Sequence, residues 1–257
     1  MLFNPSTAPV LRSVNPANNE IIQDYPEHSP EEVSEILGAA DSAARSWART
    51  SFADRSALMR IAAIILRERR EELARLMALE MGKPVAGGRS EVDKCAWVCE
   101  YYADHAEGFL TSEVIETDAT TSYVACRPLG VVLAIMPWNF PLWQVFRFAA
   151  PTLMSGNGGL LKHASNVTGT ALAIEEIFRE AGFPQHLFRT LKIDQEQVAS
   201  VIQAPVVKAV TLTGSVRAGR AVAAEAGASL KKTVLELGGS DPYVILEDAD
   251  LDLAART

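Results

Sequence analysis

Six consecutive apolar residues, Val131-Val-Leu-Ala-Ile-Met136, constrain this chain more than any other feature. A run without polar alternation suits a strand buried on both faces, and such strands belong to parallel sheets covered by helices. The stretches that follow keep that rhythm. A helix-like segment begins at Leu142, and Gly159-Leu-Leu-Lys162 reads as a short strand. Residues 168–181 place Ile174, Ile177, Phe178 and Ala181 on one helical face before Gly182-Phe-Pro closes the helix. A strand over 206–212, a helix over 217–226 and strands over 234–237 and 243–246 complete the series. Alternation at this spacing predicts an α/β protein with a parallel sheet flanked by helices.

The first half reads helical. Ser29-Pro-Glu-Glu supplies a cap, a proline at the first helical position and acidic residues in the first turn, so a helix is expected over 30–48. A second helix spans 53–81, with Leu58, Ile61 and Ile65 on one face and Gly82-Lys-Pro as its stop. A third, over 90–106, carries Trp97, Tyr101 and Tyr102. The cluster Arg67-Glu-Arg-Arg-Glu-Glu72 mixes signs and reads as a solvated helix face. Near Thr111 the helical period ends, and 121–127 is rich in β-formers.

Composition narrows the function classes. A net charge of −8 without a basic stripe argues against nucleic acid. No run of about 18 apolar residues occurs, so no membrane span is expected. Met1-Leu-Phe-Asn-Pro5 has neither a basic nor an apolar signal region, and the sparse, odd set Cys95, Cys99 and Cys126 suits reduced thiols in a cytoplasm. Cys95, Cys99 and His105 lack a fourth ligand at finger-like spacing, so two buried helical thiols are the expectation and no metal is.

In a doubly wound sheet, ligands bind at the carboxyl ends of strands. Four of the predicted strands end in a chemically loaded loop: Pro137-Trp-Asn-Phe-Pro141, Lys162-His-Ala-Ser165, Thr213-Gly-Ser215 and Leu237-Gly-Gly239. Asn139 is either a turn former or an amide donor toward developing oxyanion charge, held still by two prolines. Ser215 is either a plain N-cap or part of a phosphate site at a helix start, although the turn lacks the G-x-G-x-x-G pattern. Lys162 is either solvated or a partner for a ribose hydroxyl or phosphate. Glu236, in Thr233-Val-Leu-Glu-Leu-Gly-Gly239, is expected to be buried. It is then either salt-bridged to Lys231 or Lys232, or tuned toward neutrality as a general base.

Pro137-Trp-Asn-Phe-Pro141, Thr213-Gly-Ser215 and Leu235-Glu-Leu-Gly-Gly239, in this order and spacing, resemble the aldehyde dehydrogenase superfamily from about Asn15 onward. The resemblance implies a Rossmann-type cofactor sheet and NAD(P)-dependent oxidation of an aldehyde through a cysteine thiohemiacetal and thioester. It implies Asn139 as oxyanion donor and Glu236 as base. Trp138 would line the cofactor groove, Lys162 hold the adenine ribose, Gly214 and Ser215 receive the pyrophosphate, and Leu237 offer its backbone near the nicotinamide. Ser165 stands where NAD-preferring members often carry a glutamate, so NADP is expected beside NAD. Arg147 matches an arginine that succinate-semialdehyde dehydrogenases use on the distal carboxylate, and this implies succinic semialdehyde as substrate.

By the same resemblance, 1–110 and 128–238 form the NAD(P)-binding domain and 239–257 begins a catalytic domain. Residues 111–127 would form part of a bridging hairpin through which family members assemble as dimers or tetramers. The family's catalytic cysteine, in a G-Q-x-C setting, would fall roughly a dozen residues past Thr257. The chain is therefore expected to be an amino-terminal fragment, inactive alone. The alternative is a short nucleotide-binding or partner-binding form.

Overall fold

The computed structural model of the protein describes residues 9–256; residues 1–5, read above for a secretion signal, lie outside the described residues. The chain opens with an antiparallel hairpin, β1 (Val10–Val14) and β2 (Ile21–Pro26), absent from the sequence expectation. Most of β2 is exposed, so it shows no buried alternation to read. The turn between the two strands carries the signal instead: Asn15 Oδ1 accepts from Ala17 N at 2.9 Å, and Asn19 takes φ 61°.

Helix α1 (Pro30–Trp47) starts with the expected cap, Ser29 and Glu32 bonding each other's backbone N–H. The single helix expected over 53–81 is two, α2 (Phe52–Glu68) and α3 (Arg70–Met81). Arg69 breaks the run at φ −91°, ψ 13°, and its guanidinium bonds Glu72 and Glu180. No glycine or proline marks the break, so propensity gave no warning. α3 ends at Gly82, whose φ of 75° is the left-handed C-cap conformation. α4 (Val85–Leu110) is longer at both ends than expected. The arginines of the mixed-sign cluster lie on the surface and pair across to it, Arg67 with Glu100 and Arg70 with Asp93. A small antiparallel pair follows, β3 (Glu113–Val114) with β4 (Tyr123–Val124).

The apolar run is β5 (Val131–Met136), followed by α5 (Trp143–Met154), β6 (Gly158–His163), a 3-10 turn at Ser165–Val167 and α6 (Thr168–Glu180). Then come β7 (Phe188–Thr190), α7 (Val198–Gln203), β8 (Val207–Thr213), α8 (Val216–Ala228), β9 (Lys232–Glu236) and α9 (Leu251–Ala254). Five strands form one parallel sheet in the order β7-β6-β5-β8-β9. One face packs against α2 to α6, the other against α1, α7 and α8. The chain runs outward from β5 to β7, then returns to β8 on the other side of β5. That reversal is the switch point where a crevice opens at the strands' carboxyl ends.

The strand expected over 243–246 is not formed. A strand needs a neighbour for its N–H and C=O groups, and no described strand pairs with this segment. Tyr243, Val244, Ile245 and Leu246 are all exposed.

Candidate active site

The loop after β5 is held from outside itself. Pro137 and Pro141 have no N–H to donate, so the loop is tied largely through its carbonyls. Lys83 Nζ donates to Asn139 O at 2.9 Å, and the His163 Nε2 lies 2.9 Å from Pro141 O. The same lysine stands 3.9 Å over the Phe140 ring and 2.5 Å from Glu91 Oε2. Glu91 Oε1 accepts from Leu142 N and Trp143 N, each at 2.9 Å, which caps the start of α5 with a buried carboxylate. Trp138 and Asn139 remain exposed at the loop's tip.

A cleft of about 590 Å³ opens there, and Trp138, Asn139, Arg147, Gly214, Glu236 and Leu237 line it together. These are residues from three strand ends and one helix. Arg147, exposed on α5, donates to Thr213 Oγ1 at 3.4 Å. Lys162, Ser165 and Ser215 do not line this cleft and sit at the ends of neighbouring elements. Lys162 is 9% exposed, not solvated. Burial holds its ammonium below the usual range, against the pull of Asp194 and Glu27, and it forms no ion pair among the described residues. Ser165 opens the 3-10 turn with its side chain exposed.

Ser215 caps α8 by accepting from Ala218 N at 3.2 Å. That leaves the first-turn N–H groups of Val216 and Arg217 without a described acceptor, as a helix start does. Gly214 has no positive φ, and a Cβ added there would meet just the Leu212 side chain, at 3.6 Å or beyond. The protein's own packing thus does not require glycine at 214. A side chain's worth of open space beside free N–H groups is a surface that fits a phosphate-bearing group.

Glu236 corrects the sequence expectation: it is exposed, not buried. It is the last residue of β9, an edge strand, and nothing described covers the outer side. Among the described residues no ion pair joins Glu236 to Lys231 or Lys232 either; Lys231 Nζ donates to Ile202 O and Ala204 O instead. Gly214 N donates to Glu236 O at 2.9 Å, which ties the β8 loop to β9.

None of the three cysteines lines the cleft. Cys95 and Cys99 are buried on α4, and burial pushes both thiols well up, away from the thiolate a nucleophile needs. Cys126 is exposed in a separate groove with Arg127 and Thr111. His105 stacks on Tyr101 at 4.5 Å on the surface of α4.

Sequence reasoning passed over the acidic residues that hold the site. Besides Glu91, Glu80 accepts from Ser13 Oγ (2.6 Å), Gly169 N (2.8 Å), Thr170 N (2.8 Å) and Thr170 Oγ1 (2.7 Å), bracing the start of α6. A signal was available. Glu80 shares a helical stripe with buried Leu73 and Met77, and Glu91 one with Cys95 and Val98. A carboxylate on an apolar stripe needs buried partners.

Residues 3–257 match the model of the aldehyde dehydrogenase family. The chain is 52% identical over 246 residues to a probable succinate-semialdehyde dehydrogenase (NADP+) of Synechocystis sp., covering 96% of this chain and 54% of that protein. It is 44% identical over 256 residues to the Escherichia coli succinate semialdehyde dehydrogenase (NAD(P)+) Sad, covering 100% of this chain and 55% of that protein. The chain thus spans about half the length of the curated relatives it matches. Among solved structures, succinic semialdehyde dehydrogenase from Streptococcus pyogenes in complex with NADP+ superimposes with a TM-score of 0.92 at 38% identity, over 96% of this chain and 54% of that one. Fold, motif order and a match over nearly its whole length place this chain in the aldehyde dehydrogenase family.

Proposed function

We propose that the enzyme containing this chain oxidises an aldehyde to a carboxylic acid with NADP or NAD, with succinic semialdehyde as the substrate and succinate as the product. One observation carries the reading: an amide, a guanidinium and a carboxylate, on Asn139, Arg147 and Glu236, line the same cleft at the sheet's switch point. The names of the relatives support the substrate class.

In this proposal each side chain has one task. The Asn139 amide donates to the aldehyde oxygen as negative charge develops on it, from a loop already fixed in place. Glu236 accepts the proton released by the attacking thiol or water. Arg147 grips the distal carboxylate, offering the donors that Thr213 leaves free. Lys162 takes the ribose hydroxyls, the Gly214–Ser215 turn takes the pyrophosphate, Trp138 lines the groove, and Leu237 presents its backbone to the nicotinamide ring. Ser165 leaves out a negative charge that would repel a 2′-phosphate. The bound dinucleotide supplies the hydride acceptor. None of Cys95, Cys99 and Cys126 lines the cleft, so in this reading the attacking thiol is the G-Q-x-C cysteine that the family resemblance implies outside these 257 residues.

The domain division belongs to the same proposal: a cofactor domain of 1–110 and 128–238, a bridging hairpin beginning in 111–127, and a catalytic domain from 239. So do homo-oligomeric assembly and a reducing, cytoplasmic setting, the latter supported by three free cysteines. For the 257-residue polypeptide by itself, a cleft without a cysteine favours nucleotide binding without turnover.

The direct test is an assay with succinic semialdehyde and NADP. The 257-residue chain should bind NADP and show no turnover, and the longer enzyme should turn over. In that enzyme, Arg147→Ala should raise KM for succinic semialdehyde about tenfold or more, the loss of one charge-assisted pair. Butanal should respond little, and equal effects on both aldehydes would remove Arg147 from the carboxylate role. Ser165→Glu should shift the kcat/KM ratio toward NAD by about tenfold through charge repulsion. An unmoved ratio would end that assignment.

A further inference from the structure

His163 is a buried histidine to which the proposed chemistry gives no task. It ends β6 beside Lys162, and its ring reaches toward β5. Its Nδ1 is 3.1 Å from the carbonyl of Met136, the last residue of β5, and its Nε2 is 2.9 Å from the carbonyl of Pro141. Those are the residues on either side of the loop tip that carries Trp138 and Asn139. Ala164 N–H completes the set, 3.0 Å from Nδ1 and 3.1 Å from Met136 O.

Burial pushes the His163 pKa down to about 4, so the ring is neutral near pH 7 and carries a single N–H. Placed on Nε2, that hydrogen donates to Pro141 O, while Nδ1 accepts from Ala164 N–H, which it shares with Met136 O. The other tautomer would leave Pro141 O without a donor, whereas Met136 O keeps Ala164 N–H in either case. Pro141 O has no other described donor. The buried site and the bond to Pro141 O fit a clamp better than a core filler, since an apolar residue would fill the space and leave Pro141 O unpaired.

We propose that His163 is a positioning residue for Asn139: by donating to Pro141 O it fixes the 137–141 loop and so the aim of the Asn139 amide. The role in catalysis rests on the proposed oxyanion function of Asn139; the clamp itself does not.

Amide hydrogen exchange on the purified chain tests the clamp without any activity. His163→Leu should speed exchange at Leu142, whose bonded N–H shares a peptide unit with Pro141 O, and at Trp143 about tenfold, the size of one net hydrogen bond, while β6 and β8 stay within about twofold. His163→Gln, whose longer amide reaches Pro141 O, should bring the loop back toward the parent rate. Unchanged loop exchange in the leucine variant overturns the proposal, and so does a rise spread evenly over the sheet, which marks a packing role. Should the leucine variant fail to fold, His163→Asn serves in its place, being too short for Pro141 O and expected to loosen the loop alone.

In the longer enzyme, His163→Leu should lower kcat about 10- to 100-fold, as misplaced groups do, with KM for NADP within about twofold and partial rescue by His163→Gln. A loss confined to KM, or no rescue, counts against positioning. Absence of aldehyde oxidation in the parent enzyme would defeat the proposed function while leaving the exchange result standing, so the two failures are distinct.

Discussion

Glu91 and Glu236 show how differently the β5 and β9 sides of the site are held. Glu91 is 4% exposed and bonds two N–H groups at the start of α5 and the ammonium of Lys83. Lys83 and His163 then hold the loop carbonyls, so side chains from α4, its preceding turn and β6 converge on one short segment. Glu236 is exposed on an edge strand, secured by ladder bonds to β8 and the Gly214 contact. Around it Val234 is 62% exposed and Leu237 40%. The contrast separates two ways of presenting a side chain to the cleft. The Asn139 side is preorganised by polar contacts within this chain, whereas the Glu236 side presents an apolar edge that no described residue covers.

The largest effect should come from breaking the clamped side. Glu91→Ala leaves the half-buried Lys83 without its ion-pair partner and two N–H groups unpaired, which should cost about 3 kcal/mol. Glu236→Gln should change stability by less than about 0.5 kcal/mol, as surface substitutions do. Chemical denaturation of both variants decides it. Comparable losses would mean that the β9 side is as tightly held as the β5 side.

The same division governs what the sequence made legible. β5 and the helices with clean apolar stripes were readable because their burial is periodic and local. Ser215 was readable as a cap, and it is one whether or not it also meets a phosphate. The break at Arg69 was not: no glycine or proline marks it, and one partner of its guanidinium, Glu180, lies 111 residues away. Glu91 and Glu80 were missed for the same reason: their partners lie 51 and 89 residues off, and no spacing rule joins them. Glu236 was misjudged in the opposite direction. Apolar neighbours in sequence predicted burial, but burial of an edge strand depends on what stands beside it. The site's composition was therefore visible in the motifs, while the means that hold its better-ordered half were not.

Acid should loosen the clamped side first. Folded His163 stays neutral down to about pH 4, because burial and neighbouring Lys162 disfavour its charge. The unfolded imidazole takes a proton near pH 6.5, so between these values the unfolded state binds more protons. Stability contributed by this group is therefore complete above about pH 6.5 and is lost as pH falls toward 4, at up to about 1.4 kcal/mol per pH unit. Denaturation midpoints from pH 7 to 4.5, compared between the parent and His163→Gln, isolate this slope from that of the carboxylates. Parallel curves would show that His163 is not held neutral in the folded state.

The smallest effect sharpens the comparison most, because it sets two helical glycines against each other. A Cβ at Gly88, near the start of α4, would lie 3.0 Å from Ala74 Cα, a backbone atom of a packed helix. A Cβ at Gly219, in α8, would meet the tip of Leu237, with Cδ2 at 2.5 Å. Both positions would gain about 0.5–1 kcal/mol of helix propensity from alanine, so the intrinsic term cancels between them. What remains is whether the neighbour can move. Ala74 cannot yield without shifting α3 against α4, so Gly88→Ala should cost about 1–3 kcal/mol net. Leu237 can swing its side chain into open solvent, so Gly219→Ala should stay within about 0.5 kcal/mol of the parent. Thermal or urea unfolding of the pair measures the difference, and a Gly219→Ala penalty as large as that of Gly88→Ala would show that Leu237 is fixed and the β9 edge as rigid as the core behind Asn139.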